Sequence, residues 1–313
     1  MKLGKATRDA YGEALVELGK ENPDIVIVDA DVQNSTRAEY FAKAFPERSF
    51  QVGIAESNLV GIGAGLASAG KIPFIASFAV FVMANAFDQL RMSVAFPQAN
   101  VKVVGSHSGI SIGEDGPSQM GIEDVGLACL LPGFVVVVPA DEHAARAATR
   151  AVAAHRGPAY LRTGRQRLPV VYEDGCKNFE IGKAIQLRDG GDVTIIANGA
   201  MVAMALEAAE MLAKEGKHAR VLDMHTVKPL DHEAVEKAAR ETKGILVAEE
   251  HLLRGGLGSY VAMSVGENYP THMRFIGLDD VYAESGTPEE LLEKYGLTAR
   301  HILNCAREIT HMP

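Results

Sequence analysis

The stretch FQVGIAESNLVGIGAGLASAGKIPFIA, residues 50–76, shows the pattern that decides the fold. Its middle, from Glu56 to Ala69, is rich in small residues and predicts a helix, and the apolar run from Ile72 to Ala76 predicts a buried strand. The same alternation of short β-branched runs with longer stretches of helical period continues on both sides, and it is typical of parallel α/β layers. The sequence therefore predicts an α/β fold with mainly parallel sheets.

Two such alternating blocks can be separated in the 313 residues. We expect a first domain over residues 1–170 and a second over residues 191–313. Residues 165–191 mix glycine, proline and polar residues in the manner of an interdomain crossing, and we expect the linker at residues 171–190. Residues 310–313 are expected to form an irregular end.

Composition and charge exclude several classes of function. Lys and Arg total 31 and Asp and Glu 40, a formal net charge of −9, and no basic run occurs, so nucleic acid is not an expected partner. The 3 cysteines are far apart and lack His or Cys partners at metal-binding spacing, which argues against disulfides and against a metal site in this chain. Charges interrupt the apolar runs of the N-terminus, so neither a signal peptide nor a membrane span is expected, and a cytoplasmic location is predicted.

Glu56 is the first candidate for a chemical role. A carboxylate in the first turn of a helix often serves only the helix dipole. The residues GIGAGLAS (61–68) that follow have little side-chain volume, which favours close packing of this helix against another backbone. A carboxylate desolvated there could exchange a proton with a bound heteroaromatic nitrogen. The glycines do not form a dinucleotide fingerprint, because GIGAGL is not GxGxxG and lies inside the predicted helix.

Aromatic residues follow the predicted strand. One long helix is expected from Phe78 to Phe96, and Phe78 and Phe81 would share a face of it. Such a pair either packs into the core or forms the stacking wall of a heteroaromatic cofactor, and the sequence leaves both interpretations open.

The loop GSHSGISIGEDGPSQMGIED, residues 105–124, is the third candidate region. It follows a predicted parallel strand at the end where ligands bind in open α/β sheets. Two arginine-containing segments accompany it, RTGRQR at residues 162–167 and the pair Arg8 and Ser35. Arginine is well suited to grip phosphate through its forked guanidinium group, although either segment could also be solvated surface.

Taken in order, FQVGIAESN, ASFAVF and the loop at residues 105–124 resemble the transketolase family, and specifically its carboxyl-terminal half. The resemblance covers essentially the whole chain, and the loop is its most specific motif. It implies two three-layer α/β/α domains with mainly parallel sheets, the first binding the pyrimidine ring of thiamine diphosphate and the second being the carboxyl-terminal domain of the family.

The resemblance also implies a role for each candidate side chain. Glu56 is implied as the catalytic group on the aminopyrimidine ring, with His107 as a second catalytic residue. The implied cofactor contacts are Glu56, Asp31, and Phe78 and Phe81, which would flank the pyrimidine ring. The implied substrate contacts are Arg8, Ser35, His107, Asp115, Gln119 and Arg165, with Arg162 as the alternative to Arg165. Gln119 stands where many members of the family carry a substrate-binding histidine.

One departure from the family concerns the diphosphate. A full transketolase is a longer chain that begins with a domain holding the diphosphate and Mg²⁺ through a GDG…N motif, and no GDG occurs here. We therefore expect the carboxyl-terminal subunit of a split transketolase. A separate amino-terminal subunit in an α2β2-type assembly would hold Mg²⁺ or Ca²⁺, and the substrates would be sugar phosphates.

Three alternatives stay open from the residues and the resemblance. The β subunit of a 2-oxo acid dehydrogenase has a similar domain order, but the loop with His107 and Asp115 suits a phosphorylated polyhydroxy substrate better than a 2-oxo acid. 1-Deoxyxylulose-phosphate synthase shares this loop more loosely. A non-catalytic regulatory subunit could have kept the fold, and the presence of Glu56 argues against it.

Overall fold

The computed structural model describes residues 1–311, in which strands and helices alternate along most of the chain. The strands are β1 (Leu3–Ala6), β2 (Ile25–Asp29), β3 (Ser49–Gln51), β4 (Ile72–Phe78), β5 (Lys102–Ser106), β6 (Val135–Val137), β7 (Ala159–Arg162), β8 (Arg167–Pro169), β9 (Ile185–Arg188), β10 (Val193–Ala197), β11 (Ala219–Asp223), β12 (Thr226–Lys228), β13 (Gly244–Leu252) and β14 (His272–Leu278). The helices are α1 (Thr7–Glu21), α2 (Gln33–Thr36), α3 (Ala38–Ala44), α4 (Glu56–Ser68), α5 (Phe87–Gln89), α6 (Asp124–Leu130), α7 (Glu142–Ala154), α8 (Met201–Ala213), α9 (His232–Glu241), α10 (Leu257–Asn268), α11 (Pro288–Lys294) and α12 (Ala299–Thr310).

Two mainly parallel sheets confirm the predicted α/β fold. The larger sheet has the order β12-β6-β7-β5-β4-β2-β3, and only β12 runs antiparallel to its neighbour. The smaller sheet has the order β14-β13-β10-β11-β9, with β9 antiparallel at its edge. Every residue of β2, β5, β10 and β11 is buried, as expected for parallel strands covered by helices on both faces.

The two halves of the chain interlock. Strand β12, which follows β11 of the smaller sheet, leaves that sheet and pairs with β6 at the edge of the larger one, with Thr226 opposite Val137. Strand β9 lies inside residues 171–190 and closes the smaller sheet. The segment between the halves is thus partly structured, and the domain bounds given above stay a prediction.

The region after β4 differs from the expected long helix. Phe78 does not begin a helix but ends β4, because that strand pairs with β5 up to the position opposite Ser106. Two π-helical segments follow, Phe81–Asn85 and Leu90–Ala95, with the short α5 between them. A pattern of apolar residues at helical spacing does not show this wider winding, which is frequent at functional sites.

The C-terminal end is also more ordered than expected. Thr310 is the last residue of α12 and is 2% exposed. It is buried because α12 packs its apolar side against α8 and β13. Met312 and Pro313 lie outside the described residues.

Candidate functional site

Glu56 lies at the first position of α4, beside the end of β4. It is 4% exposed, and both of its carboxylate oxygens accept hydrogen bonds. Ser77 Oγ donates to Oε1 over 2.9 Å, and Asn85 Nδ2 donates to Oε2 over 3.3 Å. Two neutral donors fix the orientation of the carboxylate, which keeps further lone pairs for a donor on a ligand that reaches it.

Asn85 was not among the predicted site residues. It ends the first π-helical segment, and this winding turns its side chain toward Glu56 across 29 residues of sequence. The residue pattern gave no signal for it, because the prediction placed Asn85 on an ordinary helix.

Three aromatic rings form a continuous stack next to Glu56. The ring centroids of Phe78 and Phe81 are 5.5 Å apart with an angle of 8° between the planes, and those of Phe78 and His107 are 3.9 Å apart with an angle of 12°. At this separation the rings of Phe78 and Phe81 stack on each other, and that they flank the pyrimidine ring of a bound cofactor stays a prediction.

His107 is buried directly after β5 and adopts a left-handed backbone conformation with φ of 56°. Its Nε2 lies 3.2 Å from Arg8 Nη1 and its Nδ1 lies 2.8 Å from Ser106 Oγ. Burial, reinforced by the charges of Arg8, Arg165 and Arg37, lowers the pKa of His107 to about 3. Because a guanidinium can only donate, Nε2 accepts and Nδ1 carries the proton, so the imidazole is neutral at physiological pH.

The predicted phosphate-binding residues come together around His107. Arg8 Nη1 also donates to the backbone oxygen of Ser35 over 2.9 Å, and its buried Nε has no partner within residues 1–311. Arg165 Nη1 donates to the backbone oxygen of Ile112 over 3.2 Å and to Asp115 Oδ1 over 3.0 Å. Burial, followed by the charge of Arg37, lowers the pKa of Arg8. A half-buried group of arginines with one unsatisfied donor is suited to binding an anion.

Arg37 belongs to this cationic group and was not predicted. Its φ of 68° places it between α2 and α3, and its Nε donates to Asp9 Oδ1 over 2.6 Å. Its charge acts on both Arg8 and His107. Only its proximity in sequence to Ser35 could have indicated it.

Arg162, the alternative to Arg165, is not available to a ligand. It is 5% exposed and forms an ion pair with Asp124, at 2.8 Å from Nε to Oδ2 and 3.0 Å from Nη2 to Oδ1. Nη2 also donates to the backbone oxygens of Gly121 and Glu250. All of these partners lie inside the protein, because β7 directs the Arg162 guanidinium beneath the loop at residues 105–124 rather than toward solvent.

Two further predicted residues stand apart from the cluster in their hydrogen bonds. Asp31 is exposed after β2, and its N–H donates to Gln51 Oε1 over 2.6 Å. Gln119 Oε1 accepts from Ser118 Oγ. The neighbouring Asp29 is instead buried and accepts from the Val32 amide at 2.8 Å and from Thr36 Oγ1 at 3.0 Å, so that it shapes the turn carrying Ser35.

The described range offers neither a metal cluster nor a membrane span. Among residues 1–311, no group of three or more His, Cys, Asp and Glu side chains is placed to hold a metal ion. No helix in that range combines the length and the apolar character needed to span a membrane.

The comparison with known proteins agrees with the site. The model of the transketolase pyrimidine-binding domain matches residues 4–171, and that of the transketolase C-terminal domain matches residues 182–302. The chain is 44% identical over 304 residues to the 6-deoxy-6-sulfo-D-fructose transketolase subunit SqwH of Clostridium sp. strain MSTE9, covering 97% of this chain and 94% of that protein. It is 39% identical over 303 residues to a subunit of the apulose-4-phosphate transketolase of Phocaeicola vulgatus, covering 97% of each chain.

A solved structure described as a split gene transketolase, inactive β4 tetramer, superposes with a TM-score of 0.92 at 49% identity, covering 98% of this chain and 99% of that one. These matches do not favour the dehydrogenase, synthase or regulatory alternatives. Two domain models in order, and subunits of similar length with matching sequence, show that the chain belongs to the transketolase family of transferases and corresponds to its carboxyl-terminal part.

Proposed function

We propose that this chain is the carboxyl-terminal subunit of a thiamine diphosphate-dependent transketolase. With an amino-terminal subunit it would transfer a two-carbon ketol unit between sugar phosphates. The observation that carries this proposal is that the carboxyl ends of the strands in the larger sheet bring together a buried, oriented carboxylate at Glu56 and a cationic group, formed by Arg8, Arg37 and Arg165 around the neutral His107.

The residues fit the pyrimidine part of the cofactor. The buried Glu56 carboxylate offers an acceptor to a ring nitrogen, and Ser77 and Asn85 hold it in that orientation. The stacked rings of Phe78 and Phe81 offer an aromatic surface for the pyrimidine ring. When bound, thiamine diphosphate supplies the carbon centre that accepts and releases the two-carbon unit. Within this chain, Glu56 would hold and move the proton at the aminopyrimidine, and Asp31 stays a predicted cofactor contact.

The cationic group fits the phosphate of a sugar. Arg8 has a free Nε, and Arg165 presents a guanidinium that Asp115 holds from one side. A neutral His107 adds no charge, but its Nε2 orients the Arg8 guanidinium. We propose that Ser35 completes this phosphate pocket. Asp115 and Gln119 would contact the sugar hydroxyls, and His107 would be the second catalytic residue.

We propose that the amino-terminal subunit holds the diphosphate and its Mg²⁺ or Ca²⁺ in an α2β2-type hetero-oligomer. The printed names of the relatives, which describe subunits, support this, and the similar split gene transketolase is described as inactive when it contains four β chains. The exposed side of α4 offers a surface for such a partner, since the space above Gly61 and Gly65 is open. A cytoplasmic location and a role in the pentose phosphate pathway belong to the same proposal.

The test is reconstitution with the amino-terminal subunit. Co-expression of the two chains, gel filtration, and an assay of ketol transfer from xylulose 5-phosphate to ribose 5-phosphate should show activity only in the fraction that contains both. Full activity of the isolated chain would overturn the split-subunit proposal. An inactive complex with every sugar phosphate tested would overturn the assigned reaction.

A further inference from the structure

Strand β13 ends in three consecutive buried polar residues, each bound to a different part of the protein. Glu249 accepts the backbone N–H groups of Leu257 and Gly258, both at 2.8 Å, and thereby caps α10 in its own half of the chain. Glu250 and His251 reach across to the first half. The exposed fractions of the three residues are 3%, 5% and 1%.

Glu250 holds the loop that carries the predicted substrate contacts. Its Oε1 accepts the backbone N–H of Ser111 over 2.7 Å, in the middle of the 3₁₀ turn Ile110–Ile112. Burial raises the pKa of the Glu250 carboxyl, opposed by Arg162, by the Ser111 amide and hydroxyl and by the Ile110 amide. A Cβ at Gly109, where φ is +76°, would overlap the Glu250 carboxylate. The backbone of the loop therefore packs directly against the Glu250 side chain, which belongs to the second half of the chain.

The Arg165 side chain is hydrogen-bonded to the same turn. Arg165 Nη1 donates to the backbone oxygen of Ile112, the next residue after Ser111, and to Asp115 in the same loop. Glu250 thus binds one side of the turn while Arg165 binds the other. A displacement of the turn moves the acceptor that orients the Arg165 guanidinium.

We propose that Glu250 is a positioning residue that fixes the turn 110–112 and thereby the place of Arg165 in the sugar-phosphate pocket. This rests on the proposed function, because it assigns Arg165 to the substrate phosphate. It gives the second half of the chain a part in substrate binding although none of the predicted substrate contacts lies there.

The test compares Glu250→Gln with Glu249→Gln. Both substitutions remove a buried carboxylate that binds backbone N–H groups of a helical turn, but only Glu250 touches the loop. In the full-length chain, hydrogen exchange of residues 106–121 should speed up about 10-fold in Glu250→Gln and stay unchanged in Glu249→Gln, because only the first changes the acceptor of the Ser111 N–H in the loop. Hydrogen exchange of α10 should instead speed up in Glu249→Gln and stay unchanged in Glu250→Gln.

The reconstituted complex provides the second measurement. In Glu250→Gln the KM for a phosphorylated acceptor should rise about 10-fold with kcat within about 2-fold, while the KM for unphosphorylated glycolaldehyde stays unchanged, as for a lost ground-state contact. Gly109→Ala displaces the carboxylate from the loop side and serves if Glu250→Gln does not fold. In the double variant the two effects should be far from additive.

Three results would overturn the proposal. They are unchanged loop exchange in Glu250→Gln, equal loop loosening in Glu249→Gln, and an equal rise in KM for phosphorylated and unphosphorylated acceptors. Failure of the proposed function looks different: the wild-type complex would show no ketol transfer, while the effect of Glu250→Gln on loop exchange would persist.

Discussion

The carboxyl ends of the parallel strands form one side of each sheet, its carboxyl edge. The polar side chains at this carboxyl edge are used differently in the two sheets. At the edge of the larger sheet, Glu56 is held by two neutral donors and Arg8 keeps an unpartnered Nε within residues 1–311. At the edge of the smaller sheet, Glu249 and Glu250 are buried and bound to backbone N–H groups, and Asp223 Oδ2 accepts from Tyr172 Oη over 2.6 Å. Both edges follow the rule that polar groups gather where parallel strands end.

The difference lies in what covers each edge. The carboxyl edge of the smaller sheet packs against the first half of the chain. Its carboxylates accept hydrogen bonds from the protein itself and therefore have a structural role. The larger sheet keeps a cationic group with spare hydrogen-bonding capacity, which a ligand can use. The strand-end rule therefore locates polar groups, and the neighbouring half decides which of them remain available for chemistry.

Glu56→Gln should give the largest effect at the edge of the larger sheet. Glutamine keeps the shape and an acceptor for Ser77 but cannot exchange a proton, so kcat of the reconstituted complex should fall by about 10²–10⁴-fold. Gel filtration should show the complex still assembled. Glu142→Gln, at the first position of α7, is the matched control and should retain turnover. A Glu56→Gln complex with nearly normal kcat would make this glutamate a structural residue like those of the other edge.

Arg162→Met tests the buried ion pair between Arg162 and Asp124 beneath the loop at residues 105–124. The variant leaves Asp124 buried without its cation, and Asp124 is fully buried. Breaking one partner of a buried pair costs about 3–5 kcal/mol of unfolding free energy. Denaturant titration should show this loss. Arg146→Met, which breaks exposed pairs with Glu13 and Glu17, should cost no more than about 1 kcal/mol. Equal losses of unfolding free energy in the two variants would contradict the distinction between a buried ion pair and an exposed one.

Much of the fold could be predicted because its signals are local. The helix predicted from Glu56 begins at that residue as α4, and the strand predicted at Ile72 to Ala76 lies within β4. The capping box that begins α11 has an equally local signal in the residues TPEE at 287–290, with Thr287 accepting from the Glu290 amide and Glu290 accepting from the Thr287 amide. The crossing of β12 into the larger sheet was not predicted, because three residues carry too little periodicity and their partner β6 is distant in sequence.

In the candidate site, too, features local in sequence could be predicted from the residues, and contacts between distant residues could not. Glu56 could be singled out because its helix position and the small residues around it are adjacent in sequence. The contact between Arg8 and His107 joins residues 99 positions apart, and it was expected only from the family resemblance. The mutual stacking of Phe78 and Phe81 could not be predicted, since it depends on β4 continuing to Phe78 and on the π-helical winding after it.

Arg8→Lys should have a smaller effect, limited to substrate binding. Lysine keeps the charge but loses the fork that reaches Ser35 and the free Nε, and a charged hydrogen bond contributes about 1.5–3 kcal/mol. The KM for phosphorylated sugars should rise about 10–100-fold, as that energy predicts, with little change in kcat. Arg167→Lys, whose Nε binds the backbone oxygen of Gly4, is the control and should leave KM unchanged. An equal rise with glycolaldehyde would place Arg8 outside the phosphate pocket.

Asp223→Asn addresses the edge of the smaller sheet and should have the smallest effect. Burial raises the pKa of Asp223 to about 7, against a usual value of 3.8, so the folded protein binds more protons than the unfolded chain between these pH values. The contribution of Asp223 to the free energy of unfolding therefore falls as pH rises, by about 1 kcal/mol between pH 6 and pH 8, and levels off above the folded pKa. Asparagine keeps an acceptor for Tyr172 Oη and has no charge to desolvate. Denaturant midpoints across this range should thus show Asp223→Asn gaining stability relative to wild type as pH increases. A difference between the two proteins that does not change with pH would contradict a pKa of about 7 for Asp223.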